Sequence, residues 1–275
     1  MRRLPITIYI GGSLVFLFVF IALLSFVWTP YPPGQLNLTN RLAGPGTPGF
    51  LLGTDRGGRD VVTELMIGAR TSLYVSVVST VVAMLLGATI GLAIAGSHRA
   101  VQGPLTRLVD AGLALPGILI ALVLAAKLGA GTSTATIAII TWQVPVAARV
   151  TIGPARQVLA LDFVEAAYGY GRRKPYILMR HVVPNISPLL IVLGSVMFAA
   201  AILIEASLAF LGVGVQPPTS SWGRFLNETQ SLLEAAPYLM FFPGLAIVLT
   251  ALGFNLLGDG LRTVLDPQQA RSGLS

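Results

Sequence analysis

Asp162-Phe163-Val164-Glu165-Ala166-Ala167-Tyr168-Gly169-Tyr170-Gly171 continues through Arg172-Arg173-Lys174-Pro175-Tyr176-Ile177-Leu178-Met179-Arg180-His181 to Val182-Val183-Pro184-Asn185, a basic segment set between apolar runs. Phe163 to Tyr168 has the composition of a short helix. Gly169 and Gly171 let the chain turn after it, because glycine enters positive φ without a Cβ penalty. Pro175 suits the first turn of a second short helix, where its missing N–H is not needed. Pro184 marks the start of the next apolar run. Helix, turn and helix make a rigid protrusion; the plainer alternative is a basic loop resting on anionic lipid headgroups.

Outward from this segment, the sequence is dominated by apolar runs. A bilayer-spanning helix needs about 20 mostly apolar residues, and Val182–Ile204, Ile6–Trp28, Thr71–Ser97 and Ala235–Gly258 all qualify. Between Asp110 and Arg149 a longer apolar region is broken by Lys127 and by Gly129-Ala130-Gly131-Thr132-Ser133-Thr134. That break has loop composition and yields two further helices, over 108–127 and 134–150. The expectation is an all-α integral membrane protein with six transmembrane helices. Arg2 and Arg3 before the first run give it the look of a signal peptide, but the run exceeds the usual apolar stretch of about 7–15 residues and no small-x-small cleavage site follows. An uncleaved anchor is expected.

Composition agrees. Of 275 residues, 54% are apolar and 11% charged, against about a quarter charged in a soluble domain. Such a chain cannot cover its surface with charge in water. A net charge of +7 would suggest nucleic acid in a soluble protein. Here the basic residues sit in short segments between apolar runs, where they set orientation in the membrane. The absence of cysteine excludes thiol chemistry and disulfides, and two histidines, His98 and His181, are too few for an imidazole metal site.

Orientation follows from the Lys and Arg residues. With the N-terminus cytoplasmic, the inner side holds Arg2, Arg3, Arg99, Arg107, Arg149, Arg156, Arg172, Arg173, Lys174, Arg180, Arg262 and Arg271. The outer side holds Arg41, Arg56, Arg59, Arg70, Lys127 and Arg224. This bias places both termini in the cytoplasm. Residues 29–70 and 212–234 are then outer segments, each with a part expected to form a short helix on the membrane surface. Segment 149–181 is the longest and most basic inner one.

Glu165, Ala166 and Ala167, with Gly171 six residues after the glutamate and Pro184 thirteen further on, resemble the "EAA" loop of bacterial ABC-importer permeases. Further stretches resemble one branch, the second permease of dipeptide, oligopeptide and nickel importers. They are Leu52-Gly53-Thr54-Asp55-Arg56-Gly57-Gly58-Arg59-Asp60, Gly68-Ala69-Arg70-Thr71-Ser72-Leu73, Glu205 to Gly212 with Gln216-Pro217-Pro218 and Ser221-Trp222-Gly223, and Phe242-Pro243-Gly244-Leu245 to Leu265-Asp266-Pro267. The resemblance covers most of 50–268. It implies a type I importer permease fold in which Glu165 to Pro184, with Arg172, Arg173, Pro175 and Tyr176, form the coupling helix that docks in a groove of the ATPase. The sequence departs from the family at Arg172 to Pro175, where relatives usually carry smaller or acidic residues.

The resemblance further implies a second homologous permease, two ATPase subunits that bind the ATP, and an extracytoplasmic substrate-binding protein. The pathway would lie between the two permeases in a bacterial inner membrane. On this reading, residues 1–70 are an anchor helix and extracytoplasmic loop, 71–262 the permease core with its coupling loop at 149–184, and 263–275 a cytoplasmic tail. Peptides are the default cargo of the branch; nickel chelates, glutathione and haem are the alternatives.

Read physically, Asp55, Arg56, Arg59 and Asp60 can pair among themselves in a self-satisfied loop. Glu205, costly inside a bilayer, is expected near the outer end of its span; it suits a substrate amine or, preferably, hydrogen bonds to neighbouring backbone. Trp222 suits an interfacial anchor, Asp110 an ion pair with Arg107, and Gly87, Gly91 and Gly96 close helix packing. No phosphate-binding G-x-x-x-x-G-K-[ST] occurs, so ATP must bind elsewhere, and no Ser/His/Asp set or H-E-x-x-H suggests an enzyme. A self-contained secondary transporter would show repeated halves and ionisable residues at the midplane; neither is apparent.

Overall fold

In a chain that must satisfy its backbone inside hydrocarbon, each spanning segment has to close its own hydrogen bonds. The computed structural model, which describes residues 5–265, is helical in this way. Five of its helices are long and apolar enough to cross a membrane: α1 (Ile6–Leu24), α2 (Val61–Ala95), α5 (Thr132–Leu159), the continuous stretch Lys174–Phe210, and α10 (Tyr238–Leu265). A sixth crossing is made only if α3 (Arg99–Leu113) and α4 (Gly117–Leu128), bent by 79° to one another, act as one span. Within the continuous stretch lie α7 (Lys174–Ile177), a π turn (Leu178–Val182) and α8 (Val183–Phe210). The short helices α6 (Asp162–Gly169) and α9 (Trp222–Thr229) complete the set.

The expected helix over 108–127 is therefore broken. Pro116 disfavours helical backbone at Leu115, and Pro116 itself is extended (ψ 127) before α4 begins. Apolar residues fill the break, so hydropathy runs through it unmarked. Gly117 opens α4 against the Trp142 indole, 2.9 Å from where a Cβ would stand. Helices α2 and α5 also overrun their expected limits, α2 starting at Val61 and α5 ending at Leu159. Charged residues end an apolar run without ending a helix. Consequently the division expected at residue 70 falls inside α2.

Helix α2 is the spine. Asp60 caps it, its Oδ2 accepting from the Thr63 N–H at 2.8 Å. Its face at Gly87 and Gly91 lies so close to α5 that a Cβ would stand 2.5 Å from the Ala147 Cβ and 2.7 Å from the Ala148 carbonyl oxygen. Gly96, by contrast, only ends the helix. Helix α1 is held to α10 by the same device, Gly11 meeting Leu257 and Gly253 meeting Leu14. Such approach replaces the hydrophobic drive that lipid removes.

Residues 29–60 are ordered around Arg59. Its Nε donates to Asp55 Oδ2 at 2.6 Å, and its other nitrogens reach Glu64 at 3.5 Å and Glu228 of α9 at 2.9 Å. The self-pairing expected of the two Asp and two Arg is thus only partly present. Asp60 is spent on the α2 cap, and Arg56 joins no ion pair among the described residues, its carbonyl accepting from Arg41 Nε at 2.7 Å. Helix α9 packs into the bundle. Trp222 and Phe225 are each 1% exposed, and the Trp222 indole N–H donates to the Leu65 carbonyl at 3.0 Å. Trp222 is a core residue, not an interfacial anchor, because Gly68 and Gly223 leave room for its approach to α2 and α8. Arg2, Arg3 and Arg271, and the tail beyond Leu265, lie outside the described residues.

Candidate functional site

Helix α6 carries Asp162 and Glu165 in its first turn, where acidic side chains complement the helix dipole. Its end is a Schellman motif. The Arg172 N–H donates to the Ala167 carbonyl at 3.2 Å and the Gly171 N–H to that of Tyr168 at 2.9 Å, with Gly171 at φ 73. That arrangement requires a left-handed residue at position 171, which glycine supplies without strain. Chain direction then reverses into α7, with Pro175 in its first turn.

The expected second short helix does not stand alone, since α7 runs through the π turn into α8. Pro184 lies in the first turn of α8 and offers no N–H to the Arg180 carbonyl four residues back, which also clashes with its ring in a regular helix. Widening the preceding turn relieves both. A second effect follows from the width. Tyr176 and His181, five residues apart, come to one side, and the His181 ring meets Tyr176 at 6.0 Å and Phe163 of α6 at 5.8 Å. His181 therefore clasps the two short helices together, a role that its place in a basic loop concealed.

Beneath the clasp, Val164, Ile177 and Val182 are fully buried and fasten the protrusion to the bundle. Above it, Glu165, Ala166, Gly171, Arg172, Arg173, Pro175, Tyr176 and Pro184 are exposed and Ala167 half-buried. Tyr170 is 87% exposed and Met179 67%. Arg172 lies over the Tyr176 ring at 5.0 Å; here a long cation packs on an aromatic face where a smaller residue would leave it bare. Glu165 joins no ion pair among the described residues. The arrangement is a rigid, fully presented surface, aromatic at its centre with acids at one end and cations at the other. It can receive another protein and transmit a push to α8.

Glu205 lies apart, in α8, and is 1% exposed. Neither carboxylate oxygen has a hydrogen-bond partner, so the expected bonds to backbone are absent. The hydroxyls of Ser72 and Ser221 face it. Each accepts from a backbone N–H, of Trp222 and Arg224 respectively. Glu205 thus sits at the joint of α2, α8 and α9. Asp110 pairs with Arg149 of α5 at 2.9 Å and not with Arg107, a contact between helices that sequence neighbourhood cannot reveal.

Residues 83–271 match the family described as binding-protein-dependent transport system inner membrane component. The chain belongs to that family. This permease is 36% identical over 260 residues to the dipeptide transport system permease protein DppC of Alkalihalophilus pseudofirmus, covering 94% of this chain and 85% of the relative. It is 39% identical to the di/tripeptide transport system permease protein DppC of Pseudomonas aeruginosa (94% and 88% covered). Identity to the glutathione transport system permease protein GsiD of Pectobacterium atrosepticum is 36% (94% and 86% covered). Among solved structures, a chain of the inward-facing MetNI methionine ABC transporter superposes with a TM-score of 0.61 at 15% identity, covering 74% of the permease and 96% of that chain. The shared fold is that of an ABC-transporter permease. The permease is a multi-pass inner-membrane component that works with an ATPase and a binding protein.

Proposed function

We propose that this chain is one of two paired permeases of an ATP-driven peptide importer, glutathione-like peptides included, and that it does no covalent chemistry itself. The α6–α7 protrusion carries the reading: a basic, aromatic, fully exposed surface built rigidly onto a spanning helix. One of two ATPase subunits docks there from the cytoplasm, where both termini lie, the other docking on the second permease, and ATP-driven closure moves α8 through the clasp at His181. A binding protein delivers peptide to the outer face, and the pathway runs between this chain and a second, homologous permease. The permease names of the most similar relatives support peptides as cargo.

Reconstitution into proteoliposomes tests this. With both permeases, the ATPases and the binding protein, peptide should stimulate ATP hydrolysis and accumulate inside. This chain alone should do neither. Accumulation by the single chain, driven by an ion gradient, would replace the proposal with a self-contained transporter.

A further inference from the structure

Two cavities of about 500 and 460 Å³ share Val77, Phe198 and Phe254 and form one groove between α1, α2, α8 and α10. Along α2 the groove runs from Arg70 to Leu85, about 22 Å at a rise of about 1.5 Å per residue. One leaflet of a bilayer contributes about 15 Å of hydrocarbon. Below its outer end the walls are mainly aliphatic and aromatic, with Thr80 and Ser195 the polar exceptions, and Phe198 and Phe254 are stacked at 3.8 Å.

Arg70 stands at that outer end, half-buried and nine residues inside a spanning helix. Its Nε donates to Ser25 Oγ at 3.1 Å, its Nη2 to the Ser25 carbonyl, and its guanidinium lies 3.9 Å from the Phe26 ring centre. These contacts use two of five N–H donors and none of them is anionic. Among the described residues no carboxylate lies within ion-pair distance. A cation so placed is costly unless an anion reaches it. Thr71, Thr132 and Thr219 line the same end and add hydroxyls.

We propose that this groove binds a membrane phospholipid, with the phosphate on Arg70 and one acyl chain along α2. A phosphodiester supplies the missing anion, and a chain without hydrogen-bonding groups suits the walls. A peptide fits poorly, since below the threonines its amides would find only the Thr80 and Ser195 side chains, and the rest would each bear a desolvation cost. The lipid ties α1 to the α2–α8–α10 core on the side where glycine-mediated packing ends. The proposal is independent of which cargo is carried.

The test uses the assembled transporter in liposomes containing phosphatidylglycerol with a photoactivatable group on the acyl chain. Label should map to peptides holding Val77, Phe198 and Phe254. It should fall at least fivefold in Arg70→Gln, which removes the charge, and in Val77→Trp, which fills the groove at a half-exposed position, while Arg70→Lys retains it. Native mass spectrometry of the detergent-solubilised complex should show one retained phospholipid, lost in Arg70→Gln and not replaced by free phosphate. Since the chain has no cysteine, Val77→Cys offers a clean crosslinking site. Undiminished labelling in both Arg70→Gln and Val77→Trp, displacement of the label by transported peptide, or crosslinking of Val77→Cys to the second permease would each overturn the assignment.

Discussion

Gly171 is the residue on which the α6–α7 protrusion turns. Its φ of 73 closes the Schellman motif, and a β-branched side chain there costs about 1–3 kcal/mol of strain. Because no heavy atom stands within 4 Å of its missing Cβ, Gly171→Val strains the turn without a clash and the bundle should still assemble. In the reconstituted transporter, peptide-stimulated ATP hydrolysis and uptake should fall together by at least tenfold at normal membrane abundance. Wild-type uptake would show that the turn transmits nothing. His181→Ala should act alike but more mildly, about threefold, by freeing α6 from α7. The first effect was legible in the sequence, since a glycine pair after a short helical run announces a left-handed turn. The second was not. A histidine in a basic loop carries no sign of ring contacts, which arise only once the π turn brings position 181 beside 176.

At the level of elements, the apolar runs locate five helices well, because hydropathy measures what lipid demands. Their ends and breaks were less legible. A helix continues past its apolar run when capping and packing favour it, as α2 does from its Asp60 cap, and a break made of apolar residues, as at Ala114-Leu115-Pro116, leaves hydropathy unchanged. Proline was the available signal in both irregular places. Pro184→Ala restores a donor for the Arg180 carbonyl and removes the ring clash, so the π turn should relax to regular helix. That relaxation rotates everything N-terminal to it by about 100°, one residue of a 3.6-residue turn, and carries Tyr176 away from His181. The expected result is unchanged or raised thermal stability together with loss of coupling. Hydrogen exchange should show greater protection over Leu178–Val182 and less over α6. Unaltered exchange in α6 would mean that the clasp does not depend on the π turn.

Across the whole molecule, the end that carries the protrusion and the end that carries segment 29–60 are joined by α2 and α8, and each end has its own lock. Reporter fusions after Gln102 and Arg173 should read cytoplasmic, and after Gln35, Ser133 and Asn227 outer; an outer signal at Arg173 would remove the protrusion from any ATPase. The lock at the end away from the protrusion is the Arg59 hub, which binds the 29–60 segment to α9. Burial disfavours the Arg59 charge, but Glu64, Asp55 and Glu228 outweigh it and raise its pKa. Arg59→Ala strands these carboxylates and should cost about 2 kcal/mol, less than the ~3–5 kcal/mol of a fully buried pair because the side chain is 26% exposed.

Acid should loosen the same lock. Partial burial pushes the Glu228 carboxyl up, yet hydrogen bonds from Arg224 and Arg59 prevail and hold it below its ordinary value of 4.5. A carboxyl held below its unfolded value stabilises the fold above that value, and the contribution disappears as pH falls through the folded one. Attachment of α9 to the 29–60 segment should therefore be constant from neutral pH down to about 5 and weaken below about 4.5. Glu228→Gln removes this part alone. Thermal unfolding of the assembled transporter, compared at pH 7 and pH 4, should lose several degrees more in the wild type than in Glu228→Gln. Carboxylates outside the hub titrate equally in both proteins, so the difference belongs to Glu228 and to Glu64, on which the Glu228 charge acts. Equal losses would place the acid sensitivity elsewhere and leave the hub without a measurable share in holding the 29–60 segment to α9.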